Sequence, residues 1–316
     1  MTGTVIRNTG SWYVVRTDDD QLFQCKVKGN FRLRGIRSTN PVAVGDRVTI
    51  VPNPEGTALI SEVLDRRNYI IRRASNLSKQ SHILAANIDQ VLLLVTIAHP
   101  AVSTTFLDRF LAVAEAYRIP VILLFNKTNL YTPQETAEMH SLIQLYQSLD
   151  YHCLACSVLQ GQGLGQLDSL LSGKTTLLSG NSGVGKSTLL NHLIPGLDVA
   201  TAHISQSHDT GQHTTTFSQM FTLPNGGQLI DTPGIKGFGT FDIQPTELPH
   251  YFREIFLTGQ QCRFQDCTHT REPGCAVRQA LQQGLIAPSR FASYLSMLQD
   301  KDEDRYRGDQ HLTFDI

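Results

Sequence analysis

The chain has 316 residues, 41% of them hydrophobic, and a formal net charge of −1, which is enough material for two or three packed domains. Its longest apolar run, Val91–Ala98, is far shorter than the roughly 20 residues a membrane-crossing helix needs. The amino terminus MTGTVIRNTGSW also lacks the charged start and apolar stretch of a secretory signal, so no membrane partner and a cytoplasmic location are expected.

Charge is spread unevenly along this near-neutral chain. Residues 1–75 carry 12 Lys/Arg against 7 Asp/Glu, residues 76–245 carry 7 against 11, and residues 246–316 carry 8 against 10. The basic first segment holds the short β-rich runs VIRNTGSWYVVR, QLFQCKVKG and GDRVTIV, separated by turn signals at Asp18-Asp19-Asp20, Gly29-Asn30 and Pro52-Asn53-Pro54. Several short strands in so few residues predict a small β-barrel. From Asn87 the texture changes. The apolar runs QVLLLVTIA, VILLFNK, YHCLACS, TTLLSG and GGQLID are strand candidates, and amphipathic stretches at 103–118 and 133–149 lie between the earlier ones, which predicts a parallel α/β sheet. Beyond about residue 245 the pattern becomes helical, with a cysteine-rich interruption and a charged tail, KDEDRYRGDQ, that is expected to fray. The boundaries read from these shifts are 1–75, 76–245 and 246–316.

Five short motifs then occur in chain order. At the end of VILLF stands Asn126-Lys127-Thr128-Asn129, which resembles the NKxD guanine-recognition motif of GTPases, where Asn and Lys shape the pocket and Asp pairs with the base. Cys156-Ser157-Val158 ends a later strand, and Ser157 and Val158 are placed to pack against the base carbonyl. Next comes Gly180-Asn181-Ser182-Gly183-Val184-Gly185-Lys186-Ser187, which matches GxxxxGK[ST], follows the strand TTLLS and opens the amphipathic stretch STLLNHLI. There the glycines let backbone N–H groups wrap a β-phosphate, Lys186 neutralises β/γ oxygens, the Ser187 hydroxyl binds magnesium, and Thr188 continues the site. Gly211-Gln212-His213-Thr214-Thr215-Thr216 follows, a polar loop whose threonine can close over Mg²⁺ when a γ-phosphate is present. Thr215 is favoured, with Thr214 the alternative and a solvated turn the other reading. Last is Asp231-Thr-Pro-Gly234 after the run QLI, where Asp231 can reach magnesium through water and the Gly234 backbone can bond the γ-phosphate.

In ordinary GTPases the base motifs come after the phosphate motifs; here they come first. Such an order makes the DTPG loop the end of the GTPase domain, so its rearrangement is expected to pass into the carboxy-terminal segment.

Half of the six cysteines lie in Cys262-x4-Cys267-x-His269-x5-Cys275, a set suited to one closed, structural, tetrahedral Zn²⁺. The pair Cys153-x2-Cys156 has no second ligand pair nearby and is read as core packing.

With GNSGVGKSTLLN, GQHTTT, LIDTPGIKGFG and CRFQDCTHTREPGCAVRQA in place, the chain resembles the RsgA family, circularly permuted GTPases that assist maturation of the small ribosomal subunit in bacteria. The barrel, GTPase and zinc order covers essentially the whole chain. The resemblance implies an OB-fold at the amino terminus, an α/β P-loop GTPase domain in permuted order and an α-helical zinc-binding domain. It further implies GTP hydrolysis to GDP and phosphate stimulated by the 30S subunit, release of the factor after hydrolysis, one structural Zn²⁺, and Mg²⁺ with GTP. The partners expected are GTP/GDP and the small subunit with its 16S rRNA, and the chain is expected to be a monomer. Lys26, Lys28, Arg32, Arg34 and Arg37 are candidates for phosphate contacts on the barrel, or else a solvated basic rim.

The pattern is departed from at two positions. Asn129 stands where the base-reading Asp is expected, and Gln212 where the family usually has Arg. Ile235 occupies the place after DTPG where many GTPases carry a water-orienting glutamine, so intrinsic hydrolysis is expected to be slow. The resemblance makes His213 the candidate for positioning that water. Two other classes remain open on sequence alone: a P-loop ATPase or kinase, and a non-hydrolysing RNA-binding scaffold.

Overall fold

Alternation of inward and outward side chains closes the amino-terminal segment into a barrel. The computed structural model describes residues 1–27, 41–73, 81–198, 218–232 and 243–299. Strands β1 (Thr2–Asn8), β2 (Tyr13–Thr17), β3 (Leu22–Val27), β4 (Arg47–Pro52) and β5 (Thr57–Val63) pair in the order β1-β2-β3-β5-β4, and β4 returns to β1. Every pairing is antiparallel except β3 with β5, the order of a five-stranded OB barrel. Val5, Tyr13, Val15, Cys25, Val48, Ile50, Ala58 and Ile60 fill the interior. Just after the barrel, the Arg66 guanidinium grips the wholly buried Asp46 carboxylate through two 2.6 Å bonds, fixing the exit of the chain.

The next pair, β6 (Tyr69–Arg73) and β7 (Ser81–Ala86), forms a separate antiparallel ladder. Beyond it lies the predicted α/β sheet. Strand β8 (Gln90–Val95) is buried at every residue, as a central strand covered on both faces must be. The sheet adds helix α1 (Thr104–Ala116), β9 (Val121–Phe125), α2 (Pro133–Ser148), β10 (His152–Ala155), α3 (Leu167–Leu171), β11 (Thr175–Ser179), α4 (Lys186–Leu193), β12 (Gln219–Thr222) and β13 (Gln228–Asp231). Ser103 caps α1 and a reciprocal Thr132/Glu135 capping box starts α2, which accounts for where both helices begin. Spatial order is β10-β9-β8-β11-β13-β12, parallel throughout except for the antiparallel β12. Because the chain runs outward from β8 to one side and from β11 to the other, the strand order reverses between these neighbours. That reversal opens a crevice at their carboxyl ends, where α/β proteins bind ligands.

Among the described residues, three α-helices follow the sheet: α5 (Arg253–Gly259), α6 (Ala276–Gln282) and α7 (Pro288–Gln299). They enclose a small core of Phe252, Ile255, Val277, Tyr294 and Met297 and pack α7 against α1. At this contact Arg290, 1% exposed, donates to Asp108 of α1 at 2.8 Å and to both carboxylate oxygens of Glu254. Tyr146 and Ser293 hydroxyls complete the solvation of Asp108 at 2.9 and 2.6 Å. No helix among the described residues is long and apolar enough to cross a membrane.

Candidate nucleotide site and metal cluster

The phosphate loop leaves the carboxyl end of β11 and enters α4 at the crevice. Two of its glycines are there by necessity. At Gly180, with φ of +138°, a Cβ would stand 2.6 Å from the Leu94 carbonyl oxygen; at Gly185, with φ of +106°, it would stand 2.4 Å from the Asn126 amide nitrogen. The Lys186 ammonium donates to the carbonyls of Gly180 and Asn181, both at 2.7 Å, so it lies in the concave side of its own loop. Burial pushes the Lys186 ammonium down and the Asp231 carboxyl up from their ordinary values, and the charge of each opposes the shift of the other. Asp231 ends β13 directly beside β11. Next to it the Thr232 hydroxyl is buried and has no hydrogen-bond partner among the described residues, and the same is true of the Ser179 hydroxyl at the end of β11. Ser187 and Thr188 lie half-buried in the first turn of α4, Asn181 is half-buried, and Ser182 is exposed at the loop tip.

The base-side segments converge on this loop through Asn126, which is 3% exposed. Its Nδ2 donates to the Val184 carbonyl at 2.8 Å, and its Oδ1 accepts the Val158 N–H at 3.1 Å and the Cys156 thiol at 3.5 Å. The ends of β9, β10 and β11 are thus tied together by one side chain, although they come from widely separated parts of the sequence. The Thr128 N–H donates to the Cys156 carbonyl, and the wholly buried Ser157 hydroxyl donates to Asn129 Oδ1 at 2.7 Å. Lys127 adopts a left-handed backbone and its ammonium donates to the His99 carbonyl. One supporting residue carries no sequence signal: Tyr131, whose hydroxyl accepts the Ile97 N–H and donates to the Asn126 carbonyl at 2.5 Å.

Gly234, Gln212, His213, Thr214, Thr215, Thr216 and Ile235 lie outside the described residues, as do Lys28, Arg32, Arg34, Arg37 and the charged tail. Lys26 lies within them, its ammonium 4.3 Å above the Trp12 ring at the barrel surface. Cys153 and Cys156 are buried free thiols, each pushed up to about 12 by burial, so they pack as neutral groups. Cys156 lies one residue past β10, where its thiol packs in the main core and also reaches Asn126 Oδ1.

In the segment between α5 and α6, Cys262, Cys267, His269 and Cys275 place their ligand atoms within 4.8 Å of one another. Cys262 Sγ stands 3.8 Å from Cys275 Sγ, and His269 Nδ1 stands 3.6 and 3.5 Å from those two sulfurs. A tetrahedral zinc with Zn–S of about 2.3 Å and Zn–N of about 2.0 Å requires edges of about 3.8 and 3.5 Å. The donor set therefore fits a metal ion such as zinc. Tyr294, packed beside His269, anchors the loop by donating to the Thr268 carbonyl at 2.8 Å.

Comparison with known proteins gives the same arrangement. Residues 2–60 match the RsgA N-terminal domain and residues 63–241 the RsgA GTPase. The small ribosomal subunit biogenesis GTPase RsgA of Bacteroides fragilis is 62% identical over 97% of this chain and 99% of its own length. The protein of the same name from Porphyromonas gingivalis is 57% identical with equal coverage. Among solved structures, YjeQ from Thermotoga maritima is 34% identical with a TM-score of 0.75, covering 94% of this chain and 96% of that one. YloQ, described as a circularly permuted GTPase, is 27% identical with a TM-score of 0.71, covering 94% and 93%. With base motifs ahead of the phosphate loop, an OB barrel before them and a cysteine–histidine cluster behind, the chain belongs to the RsgA family of circularly permuted GTPases.

Proposed function

We propose that this chain binds GTP at the crevice, hydrolyses it to GDP and phosphate when docked on the small ribosomal subunit, and leaves the subunit after hydrolysis, assisting its late maturation. The observation that carries this reading is the Asn126 bridge, because it joins the base-side loops to the phosphate loop in one site. Lys186 and the loop N–H groups would neutralise and orient the β- and γ-phosphates. Ser187, Asp231 and Thr215 would hold Mg²⁺, which supplies charge neutralisation at the transferring phosphate. Gly234 would bond the γ-phosphate and His213 would orient the attacking water. Lys127, Thr128, Asn129, Ser157 and Val158 would surround the purine.

In this reading the chain works as a monomer of three units, 1–75, 76–245 and 246–316. The basic barrel, through Lys26 and its neighbours, meets 16S rRNA, and the four-residue cluster holds one structural Zn²⁺. Hydrolysis of GTP and of ATP, each measured with and without added 30S particles, tests the proposal. Stimulated turnover of GTP alone is expected; ATP turnover equal to that of GTP, or no response to the particles, would overturn it.

A further inference from the structure

The barrel meets the catalytic sheet at one edge, and that edge leads straight to Asp231. Arg7 of β1 is in register with Gln219 of β12, Gln219 with Asp231 of β13, and Asp231 with Leu178 of β11, so a single row of the sheet runs from the barrel to the phosphate-loop strand. The Arg7 guanidinium donates to Gln219 Oε1 at 2.8 Å, and the Asn8 N–H donates to the Ser218 carbonyl at 3.2 Å. Ser218 directly follows the threonine-rich stretch 211–217 in the chain. Arg16 of β2 adds bonds to Thr222 Oγ1 at 2.6 Å and Gln228 Oε1 at 3.1 Å, clasping both strands of the β12–β13 hairpin to the barrel at its turn end.

The joint is narrow. Beside it lies an open groove of about 340 Å³ lined by Ile6, Val14, Phe23 and Gln219, and Ile6 packs from β1 against the α/β core alongside these polar bonds. Their acceptors are neutral and partly solvated, which makes the clasp informative about position more than a source of stability.

We propose that Arg7 and Gln219 are positioning residues that pass small-subunit docking on the barrel to Asp231 and to the chain entering β12. This rests on the functional reading above. A ligand that shifts β1 moves the row carrying Asp231 and the anchor at Ser218 together, so the subunit can set the Asp231 carboxylate without touching the nucleotide. Gln219 lies on the catalytic side, so its replacement breaks the link without altering the barrel's own surface.

The test compares the intact chain with Arg7→Ala, Gln219→Ala, Arg7→Lys and the Arg7→Ala/Gln219→Ala double variant. Turnover at saturating small subunits, unstimulated turnover, KM for GTP and subunit affinity are measured for each. Each single alanine variant should lose about three- to tenfold of stimulated kcat. The double variant should lose no more than either single one, and Arg7→Lys should recover part of the rate. KM, unstimulated turnover and subunit affinity should not change. Full stimulation in Gln219→Ala, multiplicative losses in the double variant, or losses explained by weaker subunit binding would each overturn the relay while leaving the GTPase reading intact. An intact chain that subunits do not stimulate would overturn both.

Discussion

Asn126 and Val184, 58 positions apart, are joined by a 2.8 Å hydrogen bond that makes Asn126, at the end of β9, part of the support of the Gly180–Ser187 loop. Asn126→Ala would strand the Val184 carbonyl and the Val158 N–H, each buried polar group left unpaired costing about 1–3 kcal/mol. GDP affinity measured by calorimetry should fall at least about tenfold. An unchanged Kd would show that the bridge does not shape the site.

Asn129 gives a second prediction. Its Oδ1 receives the Ser157 proton, and Ser157 also accepts the Gln160 N–H at 3.3 Å, so the buried hydroxyl is satisfied with the amide carbonyl as its acceptor. An amide offers the base one acceptor and one donor, whereas guanine presents two donors, N1–H and N2–H₂. Asn129→Asp keeps the Ser157 bond and replaces the NH₂ group with a charged acceptor, gaining on the order of 1.5–3 kcal/mol. Competition binding should show roughly a ten- to hundredfold gain for GDP and a relative loss for the xanthine nucleotide, whose 2-oxo group suits the original amide. Identical profiles for the two proteins would contradict this account.

The Arg290 network predicts where stability is held. Arg290 faces Asp108 and Glu254 with side chains 0% and 10% exposed, and its removal would leave two carboxylates without a counter-charge at the α1–α7 contact. Breaking a buried ion pair from one side costs about 3–5 kcal/mol. Urea denaturation of Arg290→Ala should show a loss of that size, and a loss below about 1 kcal/mol, the level of an exposed pair, would contradict it.

Metal content provides a fourth test. Elemental analysis should find one zinc per chain, and Cys275→Ser should lose it. Chelation should lower the melting temperature while GDP affinity is retained, because the cluster lies among the carboxy-terminal helices and no nucleotide-site candidate does. Full metal occupancy in Cys275→Ser would remove that residue from the ligand set.

Locally encoded features were legible in the sequence. The apolar runs became β8, β9, β10, β11 and β13, and the amphipathic stretches at 103–118 and 133–149 became Thr104–Ala116 and Pro133–Ser148, with ends set by caps at Ser103 and Thr132. The cysteine–histidine spacing led to a cluster because all four residues lie within one short segment. Features that depend on distant partners were not legible. β5 pairs in parallel with β3 to close the barrel, Arg290 finds Asp108 across 182 positions, and β1 reaches β12 through Arg7 and Gln219, none of which leaves a periodicity or motif behind. Asn126 shows both sides: its tetrapeptide suggested a base region, but its Val184 partner emerged only from the fold.

Hydrogen–deuterium exchange with and without Mg²⁺-GDP tests the central claim most directly, since segments far apart in the chain must share one ligand. Peptides covering 126–131, 156–160 and 180–190 should gain protection together at the same nucleotide concentration. Protection confined to 180–190, with the other two unchanged, would contradict a single site built from all three.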